Sequence, residues 1–402
     1  MCSGSIKNLL KGFSLIGLMN AWIKSRRVKR GYEQTKRYYE LKDKAPLPQH
    51  PLLSVKKVRG NGVPFGVFFL GTDEYQDRSG ILQALERLSD LTWFTRADGA
   101  YGQNFPGSEE ERRRTNSDRV LALFKDVAEV GKAPDILLAQ TWAGYIDPKV
   151  LGRIRAQYGT IIVNIAMDDR HQYWGNKVDG EWRGTRGLIP YLDLALTAAP
   201  ECVEWYQKEG CPALFFPEAS DPNIFYPMPE LPKTYDVCFV GGRYGVREKI
   251  VKTLREGGVQ VTTYGHGWEH GRLDTKEVPR VFAQSKIVLG VGTIGYCKDF
   301  YSLKMRDFDG PMSGSLYLTH DNSDLRDLYE VGKEIDTYTS AIDCLQKVRH
   351  YLNDADARER LAAAGRERAI RDHTWDRRFS DLFGLLTGTT ADRHGQARSY
   401  ES

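Results

Sequence analysis

Short apolar runs alternate with helical patterns along most of the chain, and this alternation stops and restarts once. Gly66-Val-Phe-Phe-Leu-Gly71, Asp135-Ile-Leu-Leu-Ala139, Thr160-Ile-Ile-Val-Asn-Ile-Ala166 and Leu192-Asp-Leu-Ala-Leu-Thr197 read as buried strands. A strand covered on both faces of a parallel sheet shows a continuous apolar run rather than polar alternation. Helical spacing lies between them, at Ile81, Leu82, Leu85 and Leu88 after Ser79-Gly80, and over Asp118–Val130. Asp147-Pro148 reads as an N-cap followed by a first-turn proline. The stretch Phe216–Pro229 has four prolines and little periodicity, which marks a linker. A second set follows at Asp236–Gly242, Val259–Tyr264, Ile287–Gly290 and Leu316–Thr319. Its first helix covers about 246–257, and Lys333–Asp336 reads as a short edge strand in a mostly helical last hundred residues.

Alternation at this interval predicts right-handed βαβ units and parallel sheets. The expected fold is therefore α/β, with two Rossmann-like domains facing a central cleft. The expected divisions are a basic N-terminal extension (1–50), a first domain (51–228), a second domain (229–388) and a tail (389–402). A length of 402 residues suits two such domains, and 41% hydrophobic with 27% charged residues supports a real core in each.

Charge narrows the partners. Residues 1–44 hold eleven Lys or Arg against Glu33, Glu40 and Asp43, a local charge of +8; the whole chain carries +4, so the remainder sums to −4. The folded body thus offers no basic field of the size nucleic acid needs. Six scattered cysteines contain no Cys-x-x-Cys pair, so no metal is expected, and a reducing cytoplasm fits them. The run Asn8–Ile23 is short for a bilayer span and is followed by the dense charge Lys24-Ser-Arg-Arg-Val-Lys-Arg30. Two readings stand for it: an interfacial helix on anionic lipid, or a basic helix packed on the protein's own surface or partly disordered.

Four constellations could carry chemistry. Val240-Gly-Gly-Arg-Tyr-Gly-Val-Arg247 falls between a strand and a helix, where Gly241, Gly242 and Arg243 suit either a phosphate or a tight turn. Ser302–Ser315 holds Lys304, Arg306 and Asp309 before the turn containing Ser313 and Gly314. Two fixed cations stabilise a leaving diphosphate without a metal, and an ionised carboxylate accepts from ribose hydroxyls. An exposed helix face with an ordinary Arg–Asp pair explains that spacing equally well. Tyr264, Gly265 and Trp268 form a loop in which a base or sugar could lie against a ring. Asp168, Asp169 and His171 follow a strand and are the candidates for deprotonating an acceptor hydroxyl, with helix capping and a surface ion pair as the alternative.

Read in order, Tyr264-Gly-x-Gly-Trp268, Ser285–Leu289, Arg306-Asp-Phe-Asp-Gly-Pro-Met-Ser-Gly314, Leu316–Thr319, Gly332–Ile335 and His373-Thr-Trp-x-x-Arg378 resemble a known family. It is the group 1-like glycosyltransferases often labelled spore-maturation (CgeB-like) proteins, and the likeness spans roughly residues 234–385. The resemblance implies the GT-B fold, with a nucleotide-sugar donor on the second domain and an acceptor on the first. It implies no metal or other cofactor. It also implies that Asp309 contacts the donor's ribose and that Lys304 and Arg306 hold the diphosphate. Two departures bear on the sugar contact and on the retaining mechanism: Asp309 stands where the family has Glu, and Tyr301 replaces a glutamate eight positions earlier.

The expected activity is sugar transfer to a glycan, glycolipid or small-molecule acceptor, in the cytoplasm or at the inner face of the membrane. Its rivals are a nucleotide-sugar epimerase on the same fold and a non-catalytic nucleotide-sugar binding protein. An NAD-dependent oxidoreductase is disfavoured because neither half carries the dinucleotide fingerprint.

Overall fold

The structure is a computed structural model that describes residues 3–48, 65–131, 133–297 and 299–388, with side chains from Gly17 onward except Leu18. The tail 389–402 and most of the stretch joining the extension to the first strand lie outside the described residues.

Six strands form one all-parallel sheet in the spatial order Asp90–Trp93, Gly66–Leu70, Ile136–Ala139, Ile161–Ala166, Leu194–Thr197, Ala213–Phe215. Five form a second parallel sheet in the order Val261–Tyr264, Tyr235–Val240, Ser285–Leu289, Leu316–His320, Asp336–Tyr338. Both sheets start with the same reversal: the first strand lies between the second and the third. Ligands of open α/β sheets bind beyond the carboxyl ends of the strands at such a reversal. In the second sheet that point lies between Val240 and Gly290, just past the strands Tyr235–Val240 and Ser285–Leu289.

The central strands are the runs read from the sequence. Phe68, Leu137, Val163 and Leu196 are fully buried, as are Phe239, Ile287, Leu289 and Leu318. The helix expected from Asp118 starts at Glu109, because Ser108 accepts from the Glu111 amide and three glutamates occupy the first turn. Both features stabilise a helix N-terminus. Asp147 caps the helix Pro148–Tyr158 as its sequence suggests. The edge strands Asp90–Trp93 and Ala213–Phe215 are additional, and the strand expected at Lys333–Asp336 is observed at Asp336–Tyr338.

The chain forms two compact units whose membership does not follow sequence order. Lys42–Asp221 is joined by the C-terminal helix Trp375–Thr387, and Pro222–Asp372 is joined by the N-terminal helix Ser3–Leu41. The C-terminal helix docks on Ile81–Leu88, with Phe383 against Phe65 at 4.5 Å between ring centroids. Arg87 fastens it, donating to Asp376 through Nε (2.9 Å) and to the fully buried Asp221 through Nη2 (2.8 Å). Replacing Arg87 by Ala removes a donor from a buried carboxylate and is expected to cost about 1–3 kcal/mol. Denaturant unfolding of the two proteins measures that loss; equal midpoints would show that the clamp contributes nothing.

Candidate functional site

Two arginines meet at the reversal of the second sheet. Arg306 opens the helix Arg306–Met312 and donates through Nη1 to Val240 O (3.0 Å) and through Nη2 to Val291 O (3.5 Å). It therefore bridges the ends of two adjacent strands. Arg247 opens the helix Arg247–Glu256, is buried, and donates to Gly242 O at 2.9 Å. Both guanidinium groups lie over the Phe239 ring, at 5.2 Å for Arg306 and 5.5 Å for Arg247. Gly241 sits between them: a Cβ there would stand 3.0 Å from Arg306 Nη1 and 3.5 Å from Arg247 Nη1.

Neither arginine forms an ion pair with a described carboxylate, and the Nε of each is buried without a hydrogen-bond partner. Burial, and then the charge of Arg306 beside it, lower Arg247 to about 10. Like charges held together out of water are costly unless an anion joins them. The arrangement suits a ligand with two adjacent negative groups.

The surrounding residues fix this geometry. Buried Asp307 accepts from the Lys304 amide (2.7 Å) and from the Tyr317 hydroxyl (2.5 Å), which holds the turn ahead of Arg306. Burial raises the Asp307 carboxyl above its ordinary value. Asp309 is buried one turn along the same helix, and Lys304 is half-buried. Gly241 donates to Tyr264 O and Arg243 to His266 O, both at 2.8 Å, so Gly241, Gly242, Arg243, Tyr264 and Gly265 share one carboxyl-edge surface. Arg243 is exposed and pairs with Glu248.

Of three further expected donor residues, one is turned into the core beneath the glycine turn and two lie elsewhere. Trp268 is packed in the core, edge-on to Phe239, with its Nε1 donating to Gly241 O at 2.8 Å. It shapes the glycine turn rather than offering a face to a base. Ser313 and Gly314 follow the last residue of the helix that Arg306 begins, so they fall at the opposite, amino-terminal edge of the sheet. Ser315, just beyond them, is bonded to Phe282 O and to Lys233 at that edge.

Reading the sequence missed Arg247, Thr293, Ser302 and His320. Arg247 closes the quoted glycine turn and was legible there. The others are visible only once the strands are aligned. Thr293 Oγ1, Ser302 Oγ and His320 Nδ1 are buried without partners on the carboxyl side of the second sheet, and the His320 ring is 6.1 Å from that of Tyr301. Burial lowers His320 below its ordinary value, which favours the neutral imidazole.

In the first unit, Asp168 and His171 approach to 3.7 Å, both partly exposed beyond the strand Ile161–Ala166. Asp169 differs from them. It is buried, with Oδ1 accepting from Thr185 Oγ1 (2.5 Å) and Oδ2 from Tyr206 Oη (3.1 Å), which gives it a structural place rather than one facing an acceptor. At this sheet's own reversal, Thr72, Gln140, Thr141 and Asn164 form a web of uncharged polar groups beside buried Asp77.

Residues 247–384 match a family described as glycosyl transferase-like. No curated protein matches the chain. Among solved structures, sucrose-phosphate synthase (tll1590) from Thermosynechococcus elongatus aligns at 11% identity and a TM-score of 0.58, over 81% of this chain and all of that one. Anabaena Alr3699/HepE in complex with UDP-glucose aligns at 10% and 0.57, over 81% of this chain and 100% of the other. A glycosyltransferase from Rickettsia africae ESF-5 aligns at 9% and 0.53, over 81% and 99%. The fold is GT-B, two Rossmann-like parallel sheets in one chain, and the glycosyl transferase-like segment takes in most of the second unit and the first part of the C-terminal helix.

Desolvation holds the Asp169 carboxyl at about 7, well above an unfolded aspartate. The folded state therefore keeps a proton that the unfolded state has already released. This contribution to stability is complete below pH ~4 and is lost as pH rises to about 7. Asp169→Asn should flatten that part of the stability curve, measured by urea unfolding between pH 4 and 8; an unchanged slope would remove Asp169 as its source.

Proposed function

We propose that this protein is a glycosyltransferase whose nucleotide-sugar donor places its diphosphate between Arg247 and Arg306. The observation that carries the reading is the adjacent pair of guanidiniums, Arg247 buried and Arg306 half-buried, with no carboxylate between them, at the strand reversal of the second sheet. As the glycosidic bond breaks, charge grows on the diphosphate, and fixed cations in a partly dry site stabilise that charge most in the transition state. This reading needs no metal, because the arginines supply the positive charge a divalent ion would bring. Lys304 adds a third cation nearby, and Asp309 is the carboxylate assigned to the ribose hydroxyls.

The acceptor is assigned to the carboxyl edge of the first sheet, where Asp168 and His171 are partly exposed and able to meet a hydroxyl. Its chemistry there is that of a hydroxyl-bearing glycan, glycolipid or small molecule. UDP-glucose is the first donor to test, since the Anabaena protein of like fold is in complex with it.

A peripheral contact with anionic lipid at the inner face of the membrane belongs to the same reading. Met19, Trp22 and Ile23 are exposed on one stretch of the N-terminal helix, next to Arg26, Arg27 and Arg30. Such a face suits an interface rather than a span, and no described helix is long and apolar enough to cross a membrane. Trp22→Glu should abolish co-flotation with phosphatidylglycerol vesicles; equal flotation of variant and wild type would reject the contact.

Saturating UDP or UDP-glucose, at about 100 times its dissociation constant, should stabilise the folded protein by about 2.7 kcal/mol. Thermal unfolding would show this as a rise of roughly 5–10 °C. Arg247→Ala and Arg306→Ala should each weaken UDP binding about 10- to 100-fold, the loss of a charged hydrogen bond. Binding without transfer to any acceptor would favour a binding protein, and mass-neutral conversion of the donor an epimerase. Undiminished UDP affinity in both variants would sink the proposal.

A further inference from the structure

The N-terminal helix has a second face, and that face touches a loop that adjoins the donor site. Its half-buried and buried residues, Ala21, Ser25, Val28, Tyr32, Thr35 and Tyr39, recur every three or four positions. Such a stripe covers a neighbouring surface. What part of it covers is the loop between Gly292 and Ser302, which leaves the strand Ser285–Leu289 at the donor edge.

That loop is a tight excursion closed at its base. Ser302 N donates to Gly292 O (3.1 Å) and Ile294 N to Phe300 O (2.7 Å), and Thr293 bridges Tyr301. Its tip is held from outside. The Tyr296 amide donates to Ser25 Oγ at 3.2 Å, Cys297 Sγ approaches Ser25 O at 3.5 Å, and the Tyr32 ring lies 5.0 Å from that of Phe300. Lys29 pairs with Asp299; that hydrogen bond raises the lysine and lowers the carboxyl relative to their ordinary values.

Two glycines pass the contact inward. Gly295 adopts φ 60°, and a Cβ there would overlap Ser25. Gly245 adopts φ 63°, and a Cβ there would overlap Gly295 O. Helix, loop and glycine turn are therefore stacked at backbone distance. The inner end of the stack is the turn from Gly241 to Arg247, and Val291, at the loop's root, accepts from Arg306.

We infer that Ser25, Lys29 and Tyr32 are positioning residues of the donor site, acting through the Gly292–Ser302 loop on the Arg247–Arg306 pair. The inference rests on the donor reading given above. A guanidinium pair that must meet two phosphate groups tolerates little displacement, since errors near 1 Å already cost much of the benefit of positioning. The loop touches the glycine turn where Gly295 O meets Gly245, and its root accepts from Arg306 at Val291 O, so a shift of the loop reaches both arginine-bearing segments. The N-terminal helix supplies the outer support for that loop.

The test uses the full-length protein and two independent readouts. In Lys29→Ala and Tyr32→Ala, the amides of Ile294, Tyr296 and Ser302 should exchange with solvent at least 10-fold faster. UDP affinity should fall about 10-fold while the thermal midpoint of the nucleotide-free protein stays near that of wild type. Lys29→Arg and Tyr32→Phe should restore both. Lys36→Ala, on an exposed position of the same helix, should change neither. Unchanged exchange overturns the brace. Faster exchange with wild-type UDP affinity overturns its link to the donor site. If wild-type protein binds no nucleotide, the donor reading itself fails and takes this role with it, while the exchange data still report on the brace.

Discussion

The second unit is organised around two positive charges on one aromatic ring. Arg247 and Arg306 come from helices that begin after different strands, yet both lie over Phe239, and each hydrogen-bonds backbone carbonyls rather than a carboxylate. Carbonyl oxygens hold a guanidinium in place without neutralising it. The charge therefore remains available at the carboxyl edge, and the features around it serve to maintain that state. Asp307 spends its capacity on the Lys304 amide and the Tyr317 hydroxyl, and Trp268 pins Gly241 from below. A carboxylate beside either arginine would make a more stable but inert ion pair.

The first unit solves a different problem with the same topology. Beside Asp168 and His171, its carboxyl edge carries amides and hydroxyls, and two of its buried carboxylates, Asp77 and Asp169, are held at about 7 by desolvation. In the proposed transfer, the arginine pair suits a diphosphate leaving group, and Asp168 with His171 suits a hydroxyl nucleophile. The chain termini cross over as well: the N-terminal helix joins the second unit and the C-terminal helix the first. Each unit is completed by residues distant in sequence from its sheet.

The central strands were readable because burial on both faces demands a continuous apolar run, and Phe68, Val163 and Phe239 satisfy it. Arg306 was readable through its spacing from Lys304 and its place before a buried strand. The edge strand Asp90–Trp93 was hidden, because only one neighbour and little burial shape its composition. Trp268 and Asp169 are buried, which their motifs do not show, and Ser313 and Gly314 lie away from Arg306 for a different reason. A motif records proximity along the chain, whereas a seven-residue helix carries its two ends to opposite edges of a sheet.

By itself, the sequence determined two parallel α/β sheets, since hydrophobic periodicity and turn chemistry act locally. Only the tertiary structure decided that Arg247 joins Arg306, that Asp169 is sealed inside, and that the helix bearing Ser25, Lys29 and Tyr32 lies on the loop beside them. Those facts depend on strand order and on contacts between residues well separated in the chain, 37 positions for Asp169 and Tyr206 and 271 for Ser25 and Tyr296, and no local pattern encodes that geometry.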